Sequence, residues 1–325
     1  MKLPRRRFLQ LAAGGLTLPA ILRMARAQVY PSKPLRWIIG FPAGGGADTV
    51  ARIMEPWLTK RLGQPVIIEN RPGASTNIAV QAVVNSPPDG YTLLWHGLSS
   101  VVNASLFVNL PFDIQRDIEP VAGVVGYPMI MVAHPSVPAK NASELIAHAK
   151  ANTGKVTMAS FGTGSASHLA GELFKFMAGI NMVHVPYRGS APMTNDLIGG
   201  QVNVGFDVMV TALPQVRSGR LRALGVLGRQ RFDLLPDVAT VAETLPGYEA
   251  NTWAGIGVPR GTPPEIIERL NRVVNEGLAQ PEIKARLADV GTVPMVLSPA
   301  EFRAYIAAEF EKWDKVVKVA GIKPD

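Results

Sequence analysis

The sequence contains no cysteine. Disulfides, thiolate metal sites and a lipidated cysteine are excluded with it, and the absence is compatible with an oxidising compartment. Histidine occurs five times. His96, His134, His148, His168 and His184 are scattered, with no HExxH or other metal-ligand spacing. The GxxxxGK[ST] nucleotide loop is missing, as is GxGxxG. No stripe of basic residues marks a nucleic-acid surface. No tandem repeat and no long disordered linker interrupts the chain.

What the N-terminus does contain changes the composition of the rest. Residues 1–27 begin with a basic segment, continue through an apolar stretch at 8–22, and close on Ala25-Arg26-Ala27. The stretch is short and glycine-broken, so it reads as a cleaved export signal and not as a membrane anchor. Arg5-Arg6-x-Phe8-Leu9 points to the twin-arginine route over the general one. The expected destination is the periplasm, with cleavage after Ala27. The chain holds 33 basic and 25 acidic residues. Lys2, Arg5, Arg6, Arg7, Arg23 and Arg26 all lie in the signal, which leaves 27 against 25 in the 298 residues from 28 to 325. The high isoelectric point therefore says little about the exported protein, whose length suits two domains.

Along residues 35–95, apolar runs at 35–39, 66–69 and 91–95 alternate with helical periodicity, most clearly over 48–62 with Gly63 as its stop. Such a β-α-β-α-β order reads as a parallel sheet covered by helices. The same grammar returns from 128 to 227, with strands at 128–133, 155–159, 182–185, 202–206 and 221–227 and helices at 143–151, 167–179 and 192–199. Asn141-x-x-Glu144, Thr240-x-x-Glu243, Thr262-Pro263-Pro264-Glu265 and Ser298-Pro299-Ala300-Glu301 are helix starts. The fold class is α/β. In the final helix, 300–318, the aromatic residues Phe302, Tyr305, Phe310 and Trp313 read as core packing.

Three turns carry the candidate chemistry. Gly40-Phe41-Pro42-Ala43-Gly44-Gly45-Gly46 lets the backbone come close to a ligand just before a helix, whose unpaired first amides favour an anion. Asp48 reads either as a cap or as a contact. Gly73-Ala74-Ser75-Thr76-Asn77 and Gly162-Thr163-Gly164-Ser165 repeat the arrangement with hydroxyl and amide donors, which suit carboxylate oxygens. The competing reading is that each is only a tight turn. A hydrolase set of Ser165, His168 and Asp207 can also be drawn. It lacks the G-x-S-x-G elbow, however, and residues three apart on one helix make a poor catalytic pair.

From about Tyr30 onward the chain resembles the Bug family, the extracytoplasmic solute-binding proteins of tripartite tricarboxylate transporters. The resemblance is carried by Pro31-x-x-Pro34, Gly40 to Asp48 with Ala51-Arg52, Gly63-Gln64-Pro65-Val66, Glu69-Asn70-Arg71-Pro72-Gly73-Ala74 and Asp89-Gly90-Tyr91-Thr92. It continues through Val185-Pro186-Tyr187-Arg188-Gly189, Asp196-Leu197-x-Gly199-Gly200-Gln201, Gly219-x-Leu221-Arg222 and Leu235-Pro236-Asp237-Val238. It implies a periplasmic binding protein-like fold of type II, with two α/β lobes and a ligand cleft between them. One lobe is expected from 28–128 plus 253–325, the other from 129–252. It further implies that Phe41, Ala43, Gly44, Gly45, Asp48, Ser75, Thr76 and Asn77 hold a ligand carboxylate. Gly162, Thr163, Gly164, Ser165, His168, Tyr187, Arg188, Gly189 and Asp207 face them from the other lobe. No enzyme activity, cofactor, metal or nucleic acid is implied. The expected partners are a small carboxylate (aromatic, dicarboxylic or an amino acid) and membrane permease subunits, or a sensory receptor in their place; a periplasmic hydrolase is the second alternative, and a monomer the expected state. Ser75-Thr76 stands where the family commonly has two glycines, and Val208-Met209 follows Asp207 where Asn-Leu is common. Both departures favour an aromatic or short aliphatic acid over citrate.

Overall fold

Strand β1 (Leu35–Ile39) is buried except at Arg36. An apolar run of this kind belongs at the centre of a sheet covered on both faces. In the computed structural model, which describes residues 30–107 and 109–323, β1 lies between β2 (Val66–Asn70) and β3 (Thr92–Gly97), parallel to both. The export signal and its cleavage site lie outside the described residues. Beyond β3 the sheet continues through β10 (Thr252–Pro259), β4 (Ile118–Tyr127) and β11 (Val293–Pro294). A second sheet has the order β7 (Val183–Pro186), β6 (Thr157–Ser160), β8 (Val204–Val208), β5 (Met129–Ala133), β9 (Arg222–Val226).

Strands β1, β2 and β3 are parallel, as the alternating pattern over 35–95 predicts, but neither whole sheet is purely parallel. Strand β10 runs antiparallel to both β3 and β4, and β5 runs antiparallel to both β8 and β9. Strands buried on both faces read as apolar runs whatever their direction, so periodicity is silent on this point. The antiparallel strands sit next to the two places where the chain changes sheets. Strand β4 ends at Tyr127 in the first sheet, and β5 starts at Met129 in the second. The return is made through Asn251 into β10, whose first residue, Thr252, pairs with Tyr127.

Helices follow the strands: α1 (Gly46–Leu62), α2 (Asn77–Val84), α3 (Leu98–Leu106), α4 (Ile114–Asp117), α5 (Ala142–Ala151), α6 (Ala166–Ala178), α7 (Ser190–Ile198), α8 (Met209–Arg217), α9 (Pro264–Ala279), α10 (Pro281–Asp289) and α11 (Pro299–Val319). Helix α1 stops at Gly63, whose φ of 73° is a left-handed C-cap. Ser298 and Glu301 form a reciprocal capping box on α11. Thr240 and Glu243 form one too, but it opens only a single 3-10 turn. Asn141 accepts from the Glu144 amide, while the Glu144 carboxylate bonds to the Lys140 amide, so only half of that box exists. Thr262 caps nothing; its hydroxyl donates to the Pro259 carbonyl and α9 starts on Pro264.

The C-terminal helix closes the first sheet. Phe302 and Trp313 are fully buried, and Trp253 at the sheet crossing meets Phe302 and Tyr305 edge to face at 5.5 and 5.6 Å. Gly255 makes this packing fit, since a Cβ there would lie 2.3 Å from the Phe302 ring.

Candidate functional site

Six helices begin at the interface between the two sheets, three from each. Their N-cap residues are Gly45, Thr76 and Gly97 on the first side and Ser165, Gly189 and Val208 on the second. All six line one cleft, which divides into an outer chamber of about 400 Å³ and an inner one of about 60 Å³. An α-helix leaves its first amides without intrahelical partners, and its dipole places partial positive charge there. Ser165 satisfies one such amide, accepting from His168 N. The caps at Gly45, Thr76, Gly189 and Val208 supply no side-chain bond.

Among the residues lining the two chambers, Arg188 is the one charged side chain. It is exposed at the outer rim and makes no ion pair among the described residues. No aspartate or glutamate lines either chamber. The cleft thus presents amides, hydroxyls and one guanidinium to whatever enters, a set complementary to a carboxylate. The inner chamber adds an apolar wall, with Trp95, Leu98, Tyr127, Val208 and Trp253 around Ser99, Ser100, Ser190 and Thr252.

The sequence-predicted contacts divide between lining and support. Phe41 and Thr76 line both chambers, Gly45 the inner one, and Ser75, Gly162, Thr163, Ser165, Tyr187, Arg188 and Gly189 the outer one. Ala43, Gly44, Asp48, Asn77, Gly164, His168 and Asp207 line neither. Asp48 turns away from the cleft and clamps its own loop, accepting from Gly44 N at 3.0 Å and Arg52 Nε at 2.8 Å. Burial pushes its pKa up, but the bonds from Arg52, Gly44 N and Asn70 outweigh this and leave it below the ordinary value. Asn77 accepts from Asn103 Nδ2 at 2.9 Å, tying α2 to α3. Gly164 meets Asn103 across the two sheets, where a Cβ would lie 2.8 Å from Asn103 Oδ1.

His168 is buried and stacked on His184, with ring centroids 4.0 Å apart. Its Nδ1 accepts from Gly164 N at 3.2 Å and its Nε2 faces Glu172 at 3.8 Å. Asp207 is buried under the inner chamber, where its carboxylate accepts from Val208 N at 2.8 Å, Thr211 at 2.7 Å and Thr194 at 3.3 Å. Burial raises its pKa to about 6 in spite of those bonds. Each member of the drawn Ser165–His168–Asp207 set is thus engaged by its own local partners. No group of three or more His, Asp or Glu that could hold a metal occurs among the described residues.

The sequence reading missed Ser99, Ser100, Trp95, Tyr127, Ser190, Thr252 and Trp253. One signal was present. Gly97-Leu98-Ser99-Ser100 follows β3 as the three recognised turns follow their strands, with glycine before a helix and hydroxyls in its first turn.

Against known proteins, a family model described as "Tripartite tricarboxylate transporter family receptor" matches residues 50–322. The chain belongs to this receptor family. Protein BugT of Bordetella pertussis is 37% identical over 316 residues, which span 96% of this chain and 95% of BugT. A solved protein of R. palustris with adipate is 34% identical, with a TM-score of 0.88 over 91% of this chain and 100% of that one. MatC from Rhodopseudomonas palustris with bound malate is 32% identical, with a TM-score of 0.85 over 89% of this chain and 100% of MatC. The fold is therefore that of a two-lobed periplasmic binding protein. In this receptor the lobes meet closely: Phe41 and Phe161 pack edge to face at 6.1 Å. No helix among the described residues is long and apolar enough to cross a membrane.

Proposed function

We propose that this receptor captures a small carboxylate in the periplasm and presents it to the membrane permease subunits of a tripartite tricarboxylate-type transporter, acting as a monomeric binding protein and not as an enzyme. The observation that carries the reading is the convergence of six helix N-termini on a cleft whose lining has Arg188 as its sole charge. Each helix end is worth about 0.3–1 kcal/mol to an anion at an exposed site and up to about 2 kcal/mol when partly buried. Several acting together can hold a carboxylate without a cluster of cations. The acids in the R. palustris structures support the ligand class. In this reading residues 28–128 with 253–325 form one lobe, residues 129–252 form the other, and the ligand bridges them. Export by a twin-arginine signal cleaved after Ala27 delivers the chain to its ligand.

A thermal-shift and calorimetric screen of protein refolded free of carried-over ligand tests the assignment, with adipate, malate, succinate, benzoate and citrate as probes. A ligand at about a hundred times its Kd stabilises the folded state by about 2.7 kcal/mol. In a chain of this size that raises Tm by roughly 4 °C. Benzoate or a linear acid is expected to exceed citrate, whose extra charges lack partners in the cleft. Silence with every carboxylate removes the proposal, and conversion of the added acid to product removes the non-enzymatic part of it.

A further inference from the structure

We infer that Thr76 is a specificity-determining residue whose side chain gates the passage between the two chambers and so sets how long a ligand end the inner one admits. The inference rests on the carboxylate-binding reading. Its starting point is a run of three non-glycine residues in the left-handed region: Ala74, Ser75 and Thr76 have φ of 43°, 54° and 74°. This region is unfavourable for any residue with a Cβ and most of all for a β-branched one. Such geometry persists only where the surroundings over-determine it, and it concentrates at functional sites.

The surroundings here clamp the turn from two sides. Asn103 Nδ2 donates both to the Ser75 carbonyl and to Asn77 Oδ1. Opposite, Gly40 leaves the space that Thr76 fills, since a Cβ on Gly40 would lie 2.7 Å from Thr76 Cβ. The clamp fixes the Thr76 side chain at the neck of the cleft. Only Phe41, Pro42, Ser99 and Phe161 share with Thr76 the property of lining both chambers. The rings of Phe41 and Phe161 close the neck from opposite lobes, and Thr76 narrows it from the first.

Helix capping does not account for the residue. Thr76 stands at the N-cap of α2 without a side-chain cap bond, and its Oγ1 is buried with no partner among the described residues. What the side chain contributes is bulk. Behind it the inner chamber, at about 60 Å³, holds roughly four to six water-sized atoms. It therefore accepts a compact apolar end group and stops a longer one at the neck.

Titration calorimetry of wild type, Thr76→Gly and Thr76→Ser with a homologous series of linear saturated monocarboxylates, from propionate upward, tests the gate. Glycine takes the left-handed region freely, so Thr76→Gly keeps the turn while removing the bulk. Its optimum is expected to move to longer acids, with the ratio of long-acid to short-acid affinity rising about tenfold, the scale of one methylene in a fitted pocket. Thr76→Ser is expected to move it less, in the same direction. The same length profile in all three proteins overturns the gate and leaves carboxylate binding standing. Binding of no member of the series by wild type overturns both.

Discussion

Asp207 carries a burial cost with a definite pH signature. Its pKa is raised to about 6 by burial, above the ordinary 3.8, so the folded protein holds this proton more tightly than the unfolded chain. Stability contributed through the proton is complete below the unfolded pKa and is lost as pH rises through about 6. The wild type is therefore expected to lose on the order of 2–3 kcal/mol between about pH 4 and pH 6 through this one group. Asp207→Asn, which carries no titrating proton, is expected to lack that descent. Urea unfolding of both proteins across the range checks it, and parallel profiles refute it. Asp207 also marks how far residues can be read from sequence. The sequence reading set it just after a strand, but it lies within β8 and its carboxylate points under the chamber floor at Thr194, Thr211 and Val208 N. Asp48 and His168 behave alike. A turn's composition locates a residue near a strand end; which way the side chain turns is decided by partners outside the turn, Arg52 one helical turn on for Asp48 and His184 on another strand for His168.

At the level of elements, α3 is more than a layer over the first sheet. Through Asn103 it holds the 74–76 turn, and through Ser105, which donates to Asp314 at 2.9 Å, it joins the C-terminal helix. Asn103→Ala leaves the Ser75 carbonyl and the Asn77 side chain without their donor in a buried setting. A loss of about 1–3 kcal/mol in stability is expected, measurable by chemical denaturation. Carboxylate affinity should fall with it, because the turn is released from its strained shape. Unchanged stability and affinity together show that the turn holds itself. Helix α3 was also illegible in the sequence, along with α8, α10 and the strands β4 and β10. The elements that could be read either carried amphipathic periodicity, as α1 did, or began on a capping box, as α11 did. Helix α3 is buried over most of its surface and its N-cap is Gly97, so it has no polar stripe and the glycine-and-hydroxyl start at 97–100 is the one local mark it carries. The same reasoning explains β10, whose residues from Trp253 to Pro259 are all buried.

Across the whole molecule, the chain passes between the sheets at Pro128 and returns at Asn251, and between those crossings the lobes touch through small residues. Gly46, the first residue of α1, faces Val208 of the other lobe, where an added Cβ would lie 2.9 Å from Val208 Cγ2. Gly46→Leu is expected to wedge the lobes apart. The fold should lose no more than the roughly 1–3 kcal/mol typical of overpacking, while carboxylate affinity falls at least about tenfold; calorimetry and small-angle scattering follow the two effects. Retained affinity indicates that the ligand does not need both lobes at once. The twice-occurring strand–turn–helix grammar made the α/β class legible and the two lobes came from the family resemblance, whereas the antiparallel joins were not legible, since direction leaves no mark on an apolar run. The six helix ends carry a consequence for how such a receptor diversifies. Attraction for negative charge is stored in peptide N–H groups, which nearly every point mutation leaves in place; only proline in a first turn deletes one. On the proposed gate, selectivity is stored in a few side chains at a neck. Descendants of this gene can therefore explore new acids one substitution at a time while the hold on the carboxylate itself is inherited unchanged.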